Sequence, residues 1–215
     1  MATQPIYTFN CDLQDVEPKV WRQVQIPGNR TVAQMCYIMM TLFEMQAEHL
    51  FDCQVFHQYT EPHTVRYVLG AEAATVLTDA TRMTIKDAFA FDVQQAVMNY
   101  DYGDSWHVNI QLVEITKEPA LDARQLPRVL DGAGFGIVEN IGGADALMDL
   151  HDAFVAGTVD TAEFEDFLGE HDFDLTAFDQ AEMNQRIKKI PPAYKKAYER
   201  GKPLSVTMVA YIERI

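Results

Sequence analysis

An α+β fold, with an antiparallel or mixed sheet, a packed helix and an acidic helical C-terminal region, follows from three features of the sequence. Segments whose apolar residues alternate one-on, one-off dominate the chain up to about residue 118. One amphipathic stretch with a capping signal interrupts them at Thr31. From Ala144 onward the apolar spacing is helical and the composition acidic. Strands grouped first and helices later is the order of an α+β domain, not of alternating strand–helix units. The expected division is a sheet core over 1–118, a long ordered loop over 119–143, and a helical region with a terminal strand over 144–215, packed as one unit with the core.

Ile6 to Leu13 alternates, with Tyr7, Phe9, Cys11 and Leu13 on one side and Thr8, Asn10 and Asp12 on the other, so it is a half-buried strand. "DVEP" turns the chain. Val20, Val24 and Ile26 share a face of a second strand, and Arg22 falls on that same face. A guanidinium taken into a core needs a partner. Asp101 or Asp104 is the expected one, either in a structural ion pair or beside a pocket where Arg22 holds an anion. "PGN" ends the strand. Thr31 and Gln34 have capping-box spacing, and Val32, Met35, Cys36, Met39, Leu42 and Phe43 then recur at helical spacing. "HLFDCQVF" and "VRYVLG" read as two strands, the pattern from Ala71 to Thr81 is weak, and "TIKDAF" is a helical turn opened by Thr84. "AVMNYDY", "DYGDS" and "SWHVNIQLVEI" form a hairpin, with Met98, Tyr100 and Tyr102 on one side of the first strand. Residues 119–143 are rich in Gly and Pro and lack periodicity, hence the loop. "ADALMDLHDAF", "TAEFEDFLGE" and "FDQAEMNQRIKKI" read as helices. Leu204, Val206, Met208, Ala210 and Ile212 alternate, which predicts a terminal strand joining the sheet.

Composition narrows the function classes. The chain has 215 residues and a formal charge of −15, which repels a phosphate backbone and argues against a nucleic-acid partner. Arg186 to Lys202 departs from this, with seven Lys or Arg and a single acid, Glu199. It reads first as a solvated helix face and second as a docking patch for a protein partner. No apolar run approaches the ~18 residues of a membrane span, and "MATQPIYTFNCDL" is not a secretory signal. Cys11, Cys36 and Cys53 are odd in number and form no CxxC, so reduced thiols in the cytoplasm are expected.

The pieces "VWRQVQIP", "TVAQM", "HLFDCQVF", "YDYGDSWHVNI", "LDGAG", "VENIGG" and "FDQAEMNQRI", in this order from about Ile6 to Ile187, resemble the plasmid pRiA ORF-three-like family, also labelled insertion-element passenger TnpR. The resemblance implies an α+β fold, no established activity and an association with mobile elements. The label also implies a resolvase. That activity needs a Ser or Tyr nucleophile, an arginine cluster and a basic surface, and no such cluster accompanies this acidic chain. Many relatives carry cysteines in the loop, where Gly136 and Ile141 stand here, so a thiolate metal site is not carried over.

The residues with chemistry to offer are Arg22, His49, Asp101, Asp104, Trp106, His107 and Glu139. Asp101, Asp104 and Glu139 together are suited to a hard cation or to acid–base work, with His49 or His107 as a further ligand or base. Aspartates at turns also serve simply to hold backbone donors, and histidines on strands to fill half-buried positions. Trp21 and Trp106 read as packing anchors rather than base-stacking platforms. "DYG" lacks the other kinase motifs, "GAGFG" lacks a dinucleotide frame, and no GxSxG occurs. The expectation is a non-catalytic binding or adaptor protein. A metal-assisted hydrolase built on the clustered carboxylates is the alternative, and no motif names a cofactor.

Overall fold

The computed structural model describes residues 4–57, 63–69, 77–90, 93–118, 121–159 and 174–213. Strands β1 (Ile6–Leu13) and β2 (Trp21–Pro27) form an N-terminal hairpin, followed by helix α1 (Val32–Leu42). Then come β3 (Phe51–His57), β4 (His63–Val68), β5 (Leu77–Asp79), the single turn α2 (Ile85–Ala88) and the hairpin β6 (Val93–Tyr100) and β7 (Trp106–Thr116). A short 3-10 turn, Ala123–Gln125, precedes β8 (Arg128–Ala133), and α3 (Ala144–Ala156), α4 (Gln180–Arg200) and α5 (Val206–Glu213) complete the described elements.

All eight strands form one sheet in the order β5-β4-β3-β6-β7-β1-β2-β8. Every neighbouring pair is antiparallel except β4 and β5, which makes the sheet mixed. The N-terminal hairpin therefore lies between β7 and β8, with Ile6 opposite Thr116 and Trp21 opposite Ala133. The inner face carries Phe9, Cys11, Val24, Cys53, Met98 and Ile110, all buried.

Helix α1 opens as its sequence predicts. The Thr31 side chain accepts from Gln34 N, and the Gln34 side chain accepts from Thr31 N. Ten of its residues, Val32, Ala33, Met35–Leu42, are buried, because it is covered on both sides. Toward the sheet Cys36 meets Cys53 of β3, and toward α4 the Tyr37 ring stacks on Tyr198 at 5.7 Å. Helix α4 runs through Pro191 and Pro192. The hydroxyls of Tyr194 and Tyr198, beyond the prolines, donate to the carbonyls of Met45 and His49 and anchor its second half.

Four expectations are corrected. The stretch with weak pattern supplies β5, a three-residue parallel edge strand too short to show alternation. The 119–143 segment is not all loop, because β8 pairs with β2. Its outer edge is blocked by α4: Asn184 accepts from Val129 N and donates to Val129 O, while Gln180 donates to Leu130 O. This six-residue strand, with Val129 alone buried, is too short and too polar to show a clear alternation. The segment after Leu204 is a helix, not a strand. Ser205 caps it through Met208 N, and Met208, Tyr211 and Ile212, at helical spacing, pack inward. Tyr102 does not align with Met98 and Tyr100, because Asp101 takes a left-handed φ of 53° and ends the strand. The piece "TAEFEDFLGE" lies outside the described residues.

Candidate functional site

Three segments converge at one end of the sheet: the connection from α1 to β3, the β6–β7 turn, and the loop after β8. Asp101 starts the turn, donating its N–H to Leu50 O and accepting Gly103 N at Oδ1 (2.9 Å) and Ser105 N at its carbonyl (2.7 Å). Asp104 Oδ2 reaches across to the loop and accepts Gly142 N at 3.0 Å. Gly143 lies so close beneath that a Cβ there would sit 2.6 Å from Asp104 O. Among the described residues, five of the six non-glycine residues with positive φ, namely Glu44, Ala47, Asp101, Ser105 and Asn140, belong to these segments. Such backbone is tolerated only where its surroundings hold it.

At the centre is His49, half-buried, with Nε2 facing three oxygens: Asn140 Oδ1 at 3.2 Å, Asp101 Oδ2 at 3.5 Å and Glu139 Oε2 at 3.7 Å. Three acceptors around one ring nitrogen favour the tautomer that carries a proton there. Glu139 Oε1 accepts Gln46 N (2.6 Å) and the Tyr100 hydroxyl (2.7 Å). The Tyr100 oxygen in turn accepts Glu48 N at 3.2 Å. Burial is the main force on Glu139 and raises its pKa, opposed by its two hydrogen bonds and by His49. Burial, and then the Glu139 carboxylate, push the Tyr100 phenol far above its ordinary value. Chemically the cluster sets one imidazole nitrogen against two buried carboxylates and an amide oxygen.

The sequence candidates thus separate. His49, Asp101 and Glu139 come together. Asp104 turns away to clamp the loop, so the expected three-carboxylate cation site does not form from these residues. Among the described residues no group of three or more His, Cys, Asp or Glu side chains could hold a metal ion. Trp106 is buried, opposite Tyr100 in the hairpin, and His107 is half-buried on the outer face opposite Asn99.

Arg22 is fully buried as expected, but its described hydrogen bonds run to the carbonyls of Trp21, Ala133, Gly134 and Phe135, at 2.7–2.8 Å, and not to Asp101 or Asp104. The Phe178 ring covers the guanidinium at 4.3 Å and Phe43 lies at 5.5 Å. Position explains these partners: β2 lies beside β8, so the carbonyls at the end of β8 and just after it are within reach, while β7, where the β6–β7 turn ends, is two strands away. Arg186 is likewise removed from the expected docking patch. It is buried, with Glu44 at 2.7 Å and the carbonyls of Tyr211 and Ile212 at 3.0 Å.

Sequence reasoning missed Tyr100, Asn140 and a further buried carboxylate, Asp52. Asp52, on the outer face, accepts from Arg66 (2.6 Å), Asn99 (2.8 Å) and the Tyr102 hydroxyl (2.9 Å). A carboxylate between Phe51 and Cys53 in an apolar run was the available signal.

A family model described as plasmid pRiA4b ORF-3-like protein matches residues 5–182. Among solved structures, a protein of unknown function, MM3350 from Methanosarcina mazei Go1, is similar in fold, with a TM-score of 0.73 and 20% sequence identity over 84% of this chain and 98% of that one. No curated protein gives a significant match.

Proposed function

The chain belongs to the plasmid pRiA4b ORF-3-like protein family, and from that premise we propose that it is a non-catalytic binding or adaptor protein of the cytoplasm, associated with mobile elements. One observation carries this reading. The carboxylates of the hairpin and loop are engaged in holding the fold: Glu139 by Gln46 N and Tyr100, Asp101 by Gly103 N, Asp104 by Gly142 N. The motif pieces are each other's partners, which is how a scaffold is specified. Calorimetric titration with Mg²⁺, Mn²⁺ and Zn²⁺ tests it. No saturable heat is expected at millimolar metal, and a saturable heat abolished by Asp101→Asn would replace this reading with a metal-assisted hydrolase. That second reading has one observation in its favour. Glu139 Oε2 is buried, has no hydrogen-bond partner among the described residues, and points toward His49.

A further inference from the structure

We propose that the cleft between α1, α4 and the turn leading into β8 binds a small organic anion with an apolar body, its charged end held by Arg30, Lys188 and Lys195. The proposal rests on the reading of the chain as a binding protein, and gives that reading a place and a ligand class. The cleft has a volume of about 340 Å³, at the lower end of the range for small-molecule sites. Its walls include Ile38 from α1, Leu126 and Pro127 from the turn, and Pro191 and Pro192 from α4. Lys188 and Lys195 are two turns apart on one face of α4, and Arg30 stands across from them ahead of α1.

Charge is what sets this cleft apart. The chain has 32 Asp and Glu against 17 Lys and Arg, yet the cleft is lined by three cations and, among its described lining residues, by no carboxylate. Glu199 stands near it, 3.5 Å from Lys195 and accepting from the Tyr37 hydroxyl at 3.4 Å. Lys188 donates to the Pro127 carbonyl, which carries no full charge. Burial, followed by the positive charges of Arg30 and Arg128, depresses the Lys188 pKa. A partly dehydrated ammonium facing other cations is stabilised by an anion, and by little else that fits. The part of α4 that lines the cleft between these two lysines is apolar. Two prolines in mid-helix, which carry no backbone N–H to offer, present apolar rings there. Apolar walls edged by cations suit a phosphate monoester or carboxylate bearing an aromatic or short aliphatic group.

The probe is 4-nitrophenyl phosphate, titrated calorimetrically into the full chain, with inorganic phosphate and benzyl alcohol as controls. Saturable binding is expected, weaker for either control, and weakened by added salt. Lys188→Gln should lower the affinity by about ten-fold or more. The double variant Arg30→Gln, Lys195→Gln changes more exposed groups, should fold in any event, and should show a similar loss, while Lys19→Gln, on the β1–β2 connection, should bind as the parent does. No saturable heat at millimolar probe, or binding that survives both cleft variants, overturns the proposal. Release of nitrophenolate that is lost in Glu139→Gln would instead overturn the non-catalytic reading, and the cleft variants would then still report whether the anion sits where it is placed.

Discussion

Glu139 has one carboxylate oxygen between two donors and the other against His49. Burial raises its pKa, and the hydrogen bonds and His49 offset this only in part. An acid whose pKa rises on folding contributes its full stability below its unfolded pKa, and loses it as pH climbs through the folded value. The contribution of Glu139 therefore falls from acid toward neutral pH. Glu139→Gln keeps an oxygen for both donors and removes the charge. At neutral pH it should be as stable as the parent or more so, and denaturant unfolding between about pH 4 and 7 should show a flatter pH dependence. Glu139→Ala strands Gln46 N and the Tyr100 hydroxyl and should cost about 1–3 kcal/mol. Arg22→Ala strands several buried carbonyls and should cost on the order of 3 kcal/mol or more. Its effect should add to that of Asp101→Asn, since the two residues share no described partner. A coupling above ~0.5 kcal/mol in the double-mutant cycle would contradict the carbonyl cage.

Beyond the shared apolar core, a few polar contacts fix how helices, strands and loops join. Gly143, at φ 91°, sits against Asp104 O, so Gly143→Ala pushes the loop off the turn. It should lower stability by more than the ~1 kcal/mol of an ordinary loop substitution and speed amide exchange at Gly142, whose N–H is held by Asp104. Arg186 ties α4 to Glu44 and to the last carbonyls of α5. Removing either member of the buried pair alone should cost about 3–5 kcal/mol, and Arg186→Met with Glu44→Gln should cost less than the sum. The legible elements were those whose spacing had one solution. Thr31 and Gln34 announce α1 because a capping box serves nothing else, and the β6–β7 hairpin follows from alternation around "DYGD". The terminal segment had two solutions: Met208 and Ile212 satisfy both a strand and a helix template, and the Arg186 contacts with the carbonyls beside them depend on a residue far away in sequence. The Arg22 cage was illegible for the same reason, since backbone carbonyls leave no mark in composition.

Taken together, the motif pieces form two locks. One joins "VWRQVQIP", "LDGAG" and "FDQAEMNQRI" through Arg22, Gly134 and Phe178. The other joins "HLFDCQVF", "YDYGDSWHVNI" and "VENIGG" through His49, Asp101 and Glu139. Both bind the sheet to the chain that follows it. The outer face of the sheet is polar instead, with side-chain amide pairs such as Asn10–Gln23 and Gln95–Gln111 at 2.9 Å. The alternation of β1, β2 and β7 made that division of faces readable from sequence. The placement of the cleft was not, because Arg30 and Lys188 are brought together only when α4 closes over α1.

The strand order has a consequence for synthesis. The β1–β2 hairpin is made long before its neighbours in the sheet, β7 and β8, which begin at Trp106 and Arg128. The growing chain therefore carries this hairpin with both edges unpaired until β7 is made. Closing those distant pairings late is slow, and open edges invite association with other nascent chains. Slowing elongation after β7 should leave β1 already satisfied, whereas a pause before Trp106 should increase aggregation, and proteolysis of nascent chains arrested at defined lengths would reveal the difference.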